Sequence, residues 1–274
     1  MPVESIKLAV GLRENHQIAL LKSITDPIAA SPQERQDLLE AIDLLRSSRV
    51  RIDGQDLSFA GFFEKFIDRA YTDKFVAALL KSKQISAHGQ REKKKIIEEI
   101  RALFIQEQWF RHDLPETRFL IAFCLYWWNA FATGYMFEIQ IFRDLRKSGL
   151  RFEAHDLRQR SERYSFADLT ISQMTGDIKS STYFFSIART SDLSHDFYIT
   201  RYYDQSKRQY HWFVIMRSES WNEIDGTTLP MIFPNWPVDF STPVTFDFGG
   251  TDWVAVSYHI WKTKILEYQH QGEQ

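Results

Sequence analysis

A chain of 274 residues holds one large domain or two ordinary ones. Its 44% hydrophobic and 26% charged residues exclude a disordered polyelectrolyte, and 22 Phe with 8 Trp supply a sizeable core. A formal net charge of −2 excludes a global basic field, so any grip on a polyanion must come from a local patch. The lone cysteine, Cys124, excludes an internal disulfide framework and a cysteine-based zinc knuckle, which fits a cytoplasmic setting. The N-terminal stretch "MPVESIKLAVGLRENHQ" lacks the long apolar core expected of a signal peptide.

In chain order, "SPQERQDLLEAIDLLRSSR" predicts the first helix. Ser31 stands at the N-cap, Pro32 at the first helical position and Glu34 three residues after the cap. Leu38, Leu39, Ile42 and Leu45 then recur at helical spacing. "SFAGFFEKFIDRAY" and "DKFVAALLKSK" predict two short helices, and "REKKKIIEEIRALFIQEQWF" predicts another with Ile96, Ile97, Ile100 and Phe104 on one face. From Phe119 to Phe137 no residue is charged, a length that reaches the membrane-span threshold. Trp127 and Trp128 sit in its middle, where membrane tryptophans are not expected, and Asn129, Thr133 and Gly134 interrupt it. A buried helix with Cys124 in the core is therefore the expectation, without membrane attachment. This helix starts after Pro115 and runs to about Lys147, with Thr133–Gly134 as the place for a break and Ser148–Gly149 as its stop. These patterns predict an all-helical N-terminal domain over residues 1–130.

Beyond residue 150 the pattern turns to strands. "RFEAHD" alternates, and "FADLTIS" and "DIKSSTYFF" are strand-like on either side of the turn-grade "QMTG". "DFYITRYYD" and "RQYHWFVIMR" predict a hairpin around "QSK". Residues 220–242 carry Pro230, Pro234 and Pro237 and predict a long loop, followed by late strands "VTFDFGG" and "DWVAVSYHIW". Residues 131–274 are thus expected to form an α/β domain, to which the end of the long helix belongs.

Chemistry concentrates at "GDIKSS", residues 176–181. On a strand, Asp177 and Lys179 share one face and Ile178 points to the other. If 167–171 pairs with 177–183, Asp168 falls opposite or diagonal to Asp177. Like charges so close repel unless something positive sits between them, and a hard divalent ion, Mg2+ or Mn2+, suits oxygen ligands. Glu138 is the third candidate acid. It lies beside the apolar stripe of Phe137, Ile141, Phe142 and Leu145, away from Arg143, Arg146 and Lys147. His155, His195, His211 and His259 show no metal-ligand spacing, and no phosphate-cradling glycine loop or Gly-x-Ser-x-Gly elbow occurs.

A helix with an internal glutamate, a strand, a strand with Asp, then a strand with Asp-x-Lys: residues 134 to about 217 resemble the PD-(D/E)XK nuclease superfamily, the restriction-endonuclease-like fold. The resemblance implies a central mixed β-sheet flanked by helices. It makes Asp168 the first acid, Asp177 and Lys179 the acid-x-lysine pair and Glu138 the helix glutamate, with Ala167 where the motif carries proline. It also implies an Mg-dependent endonuclease acting on DNA. The metal is then held by Asp168, Asp177 and the backbone carbonyl of Ile178, Lys179 orients the attacking water, and Glu138 holds the metal or its water shell. The tripeptide alone is unspecific, since Glu92–Lys93–Lys94 repeats it on a helix. Nucleic-acid grip is expected from Arg158, Arg160 and Arg163 in "LRQRSER" and from Arg143 on the helix, whereas "REKKK" suits a solvated helix face. The resemblance also implies a homodimer, since many members of the superfamily that cut both strands do so as dimers. The rival expectation is a catalytically inactive nuclease-fold module that binds nucleic acid or protein, with "PMIFPNWPVDF" as a partner loop.

Overall fold

The structure, a computed structural model, describes residues 13–16, 18, 32–52, 55–107, 115–181, 193–204, 207–225, 229–230 and 240–272. The chain divides into two compact units, Met1–Thr133 and Gly134–Gln274.

In the first unit, α1 (Pro32–Arg46) begins at the expected proline, while Ser31 lies outside the described residues. A hairpin follows, corrected against the all-helical expectation. Strands β1 (Arg49–Ile52) and β2 (Gln55–Ser58) pair antiparallel, with Arg49 opposite Ser58 and Ile52 opposite Gln55. The reason is local: Val50 and Ile52 are buried in alternation with exposed Arg49, and the intervening sequence is Asp-Gly, the dipeptide two-residue hairpins favour. Ser58 then caps α2 (Phe59–Phe63), its Oγ accepting from the Gly61 N–H at 3.1 Å. A π-helical stretch, Glu64–Asp68, carries the path directly into α3 (Arg69–Lys81). Helix α4 (Ile85–Gln106) starts upstream of the predicted Arg91. It buries Ile96, Ile100 and Phe104 and leaves Arg91, Lys94 and Lys95 to solvent. Aromatic rings close this core, Phe59 on Phe123 at 4.3 Å and Phe75 on Trp128 at 5.3 Å, with Cys124 buried among them.

Helix α5 (Pro115–Lys147) is continuous. Thr133, where a break was expected, instead satisfies its hydroxyl within the helix by donating to the Asn129 carbonyl at 2.7 Å. The helix stops where predicted. Gly149 adopts φ +78°, its N–H donates to the Arg146 carbonyl, and the Leu150 N–H donates to the Leu145 carbonyl, a Schellman closure. Among the described residues no helix is long and apolar enough to cross a membrane.

The second unit is α/β, built on an eight-stranded mixed sheet. Its strands are β3 (Glu153–Ala154), β4 (Leu169–Ile171), β5 (Met174–Lys179), β6 (Phe197–Asp204), β7 (Gln209–Arg217), β8 (Leu229–Pro230), β9 (Val244–Phe248) and β10 (Thr251–Ser257). The spatial order is β3-β4-β5-β6-β7-β10-β9-β8, antiparallel except for the parallel pairs β5–β6 and β8–β9. The β4–β5 turn is shorter than "QMTG" suggests. Ser172 and Gln173 both take positive φ, 49° and 70°, as a two-residue hairpin turn requires, so Met174 to Gly176 belong to the strand. On one sheet face Trp212 packs between Phe137 of α5 and Tyr258 of α7 (Tyr258–Gln271), and Phe197 meets Trp261. The other face buries Tyr198, Phe213, Ile215, Phe240, Phe246 and Trp253 together.

Two further differences follow from capping and burial. "SYHIW", expected as strand, opens α7, because the Ser257 hydroxyl accepts from the Ile260 N–H and Tyr258, Trp261 and Ile265 are buried at helical spacing. The expected loop over 220–242 is interrupted by the end of α6 (Ser218–Ile224), anchored by buried Trp221, and by the short strand β8. Most of the "PMIFPNWPVDF" segment lies outside the described residues.

Asp196 registers the parallel pair on which the site depends. Its Oδ2 accepts from the Thr175 N–H at 2.7 Å and the Thr175 hydroxyl at 2.9 Å. Asp196→Ala leaves both donors without that acceptor and is expected to cost about 2 kcal/mol, read as a lowered urea midpoint at unchanged m-value.

Candidate metal centre

Strand β5 alternates with period two. Gly176 and Ile178 are buried, while Asp177 and Lys179 are half-buried on the opposite face. The glycine before Asp177 has a packing cause: a Cβ there would lie 2.2 Å from the Phe197 ring. That contact ties the glycine to the neighbouring strand.

Asp168 stands one position beyond the paired Leu169 and Gly176, beside Asp177. Its N–H donates to the Gly176 carbonyl at 3.0 Å, and its Oδ2 accepts from the Ile178 N–H at 2.7 Å. The carboxylate thus takes over where the backbone ladder ends. Asp168 and Asp177 also lie within hydrogen-bonding reach of each other. The Ile178 group tied to the cluster is its N–H.

Glu138 comes from α5. It is one of the few buried acids among the described residues, at 8% exposure between buried Phe137 and Ile139. His155 follows β3, and its backbone N–H donates to the Asp168 carbonyl at 3.1 Å. Its Nε2 lies 3.3 Å from Glu138 Oε2 and its Nδ1 3.7 Å from Asp168 Oδ1, with the imidazole side chain only 4% exposed.

The electrostatics follow from this crowding. Burial pushes the Asp168 carboxyl up to about 9, the charges of Glu138 and Asp177 push the same way, and the Ile178 N–H pulls against them. Lys179 Nζ pairs with Asp177 Oδ2 at 2.5 Å and retains 41% side-chain exposure. His195 Nε2 lies 3.9 Å from the same oxygen, and burial holds its imidazole below the usual histidine range.

No family model, curated protein or solved structure matches the chain. One donor atom each from Glu138, His155 and Asp168 lies within 4.8 Å of the other two. A cation with bonds of about 2.1 Å holds neighbouring ligands about 3 Å apart and opposite ones about 4.2 Å apart. The triangle has the dimensions of one coordination sphere after a small contraction, so the residues present fit a divalent ion. Of the four predicted site residues, Glu138 and Asp168 join this triangle. Asp177 borders it through Asp168 and is held by Lys179.

The predicted grip residues divide differently. Arg158 wraps Asp156, with Nε at 2.8 Å and 3.2 Å from its two oxygens and Nη2 at 2.9 Å, and that contact holds Asp156 at about 2. Arg163 Nε donates to the Leu157 carbonyl at 2.7 Å. Both arginines brace the loop that leads to Asp168. Arg143 and Arg160 are half-buried.

His155 is the site residue that sequence spacing missed. Metal-ligand spacing along a chain detects ligands on one helix or loop. His155 reaches Asp168 across a strand pair, through the register that sets Ala154 opposite Leu169. Extending that register by one residue was the available signal.

Proposed function

We propose that the chain is a metal-dependent nuclease that hydrolyses phosphodiester bonds in DNA, on a restriction-endonuclease-like core. One observation carries the reading: Glu138 and Asp168 share one donor triangle, and Asp177, paired with the ammonium of Lys179, adjoins Asp168. The order of elements supports it too, with a glutamate-bearing helix, an antiparallel β3–β4–β5 meander and a fourth strand parallel to β5.

A bound Mg2+ or Mn2+ supplies Lewis acidity toward a phosphoryl oxygen and lowers the pKa of a coordinated water. The chain's own groups do the rest. Glu138, Asp168 and Asp177 provide the negative charge that makes the site selective for a cation. The Ile178 N–H fixes the orientation of the Asp168 carboxylate. Lys179 is exposed enough to meet a phosphate and is anchored by Asp177, so its ammonium opposes charge developing on the in-line transition state. Two such centres, in a homodimer, serve to cut both strands of a duplex.

The test is cleavage of supercoiled plasmid and of single-stranded oligonucleotides with Mg2+ or Mn2+, by wild type and Lys179→Ala. Wild type is expected to cut, and the variant to lose about a hundredfold or more in rate. Silence of wild type across substrates and both metals sinks the proposal in favour of a binding module. Undiminished cleavage by Lys179→Ala removes that residue from the mechanism.

A further inference from the structure

We propose that His155 is a direct ligand of the metal, and that the site consequently prefers Mn2+, a first-row transition ion, over Mg2+. This rests on the nuclease reading only for the purpose of the ion, not for its binding.

The heavy-atom contacts around His155 carry the inference, because they assign its tautomer. Ser165 Oγ donates its single hydrogen to the Ala167 carbonyl at 2.7 Å. The same oxygen lies 3.2 Å from His155 Nδ1, so it can only accept there, and Nδ1 must carry a proton. In the neutral imidazole, Nε2 is then a bare lone pair. That lone pair lies 3.3 Å from Glu138 Oε2, a carboxylate oxygen that offers lone pairs of its own. Two acceptors facing each other in a buried position need a positive charge between them or a proton on one of them. A cation meets the requirement for both at once, and Asp168 offers a carboxylate oxygen within 4.8 Å of a donor atom of each of them. The Nδ1–H···Oγ contact is also the outer bond by which a ligating histidine has its tautomer fixed.

Donor type then sets the ion. An all-oxygen site suits Mg2+, which tolerates nitrogen poorly, whereas an imidazole raises affinity along the transition series. One imidazole with two carboxylates therefore favours Mn2+.

The full chain is titrated with Mn2+, followed by the electron paramagnetic resonance of free Mn2+, and Mg2+ affinity is read by competition. Wild type is expected to bind Mn2+ at least about tenfold more tightly than Mg2+, and His155→Gln to lose about tenfold or more in Mn2+ affinity while Mg2+ affinity stays within about threefold. Spin-echo modulation of Mn2+-loaded wild type gives a readout that needs no variant to fold, and a directly bound imidazole nitrogen is expected. All-oxygen coordination of Mn2+, or an unchanged Mn2+ affinity in His155→Gln, overturns the inference and leaves His155 as a hydrogen-bond partner of Glu138. Failure of wild type to bind either ion overturns it as well. Equal cleavage with Mg2+ and Mn2+ that survives His155→Gln also sinks this inference while leaving the nuclease reading intact. Nitrogen-bound Mn2+ without any cleavage does the reverse.

Discussion

Asp168→Asn is expected to abolish metal-dependent cleavage and, in the same molecule, to raise the stability of the metal-free protein. The carboxyl of Asp168 is buried and faces the charges of Glu138 and Asp177, so its proton is held up to about 9 in the folded state. In the unfolded chain it is released near the ordinary value of about 4. Because the folded pKa is raised, the folded state binds a proton that the unfolded state has lost throughout that window. Stability therefore falls as pH rises from about 4 toward 9. Metal-free wild type is expected to melt at progressively lower temperature between pH 5 and pH 8, and added Mn2+ or Mg2+ to recover the loss by occupying the folded state alone. Asparagine keeps an oxygen for the Ile178 N–H while removing the charge. The variant should gain about 2 kcal/mol at pH 8 in chelator, several degrees in melting temperature, with a flatter pH profile and no metal-induced shift. Thermal melts at four pH values, with chelator and with metal, read this directly. A variant that melts lower than wild type at pH 8 in chelator would mean that the three carboxylates are not in electrostatic conflict, and the centre would lose its physical basis.

The same residues explain what was legible in the sequence. Asp177 and Lys179 share a face because a strand's period of two needs no tertiary information, and Met174, Gly176 and Ile178 fill the opposite face in step. The length of the β4–β5 turn was not legible. Ser172 and Gln173 carry positive φ without the Gly or Asn that normally announces it, so the turn was placed too late along the chain. The β1–β2 hairpin is legible, since Asp-Gly between Val-x-Ile and a second strand is a strong local cue. Helix α7 was legible in the same way, from Ser257 followed by Tyr258, Trp261 and Ile265, but the apolar start of "SYHIW" ran on from a strand. His155 belongs to a different class. Its place beside Asp168 and Glu138 depends on a strand pairing and on a helix remote in sequence, and no spacing rule along the chain contains that information.

Gly176 and Phe197 are expected to be strongly coupled, and through them the metal centre. A methyl group at 176 would sit 2.2 Å from the Phe197 ring, and that ring is fully buried with Trp261 behind it at 5.3 Å. The ring cannot swing to solvent, so Gly176→Ala must push β5 away from β6, at a cost of about 3 kcal/mol. Phe197→Leu removes part of the obstacle at about 1–2 kcal/mol of its own. In the double variant the methyl occupies space the ring has left, and the two costs should fall short of additivity by at least about 1 kcal/mol. Urea unfolding of the four proteins closes the cycle. Asp177 follows Gly176 directly and Lys179 lies two residues further on the same strand, so cleavage should track the cycle: reduced in Gly176→Ala and partly restored in the double variant although Phe197→Leu alone gains nothing. Additive costs within about 0.5 kcal/mol, or restored stability without restored cleavage, would separate the packing of β5 from the placement of its charged face and remove the proposed link between them.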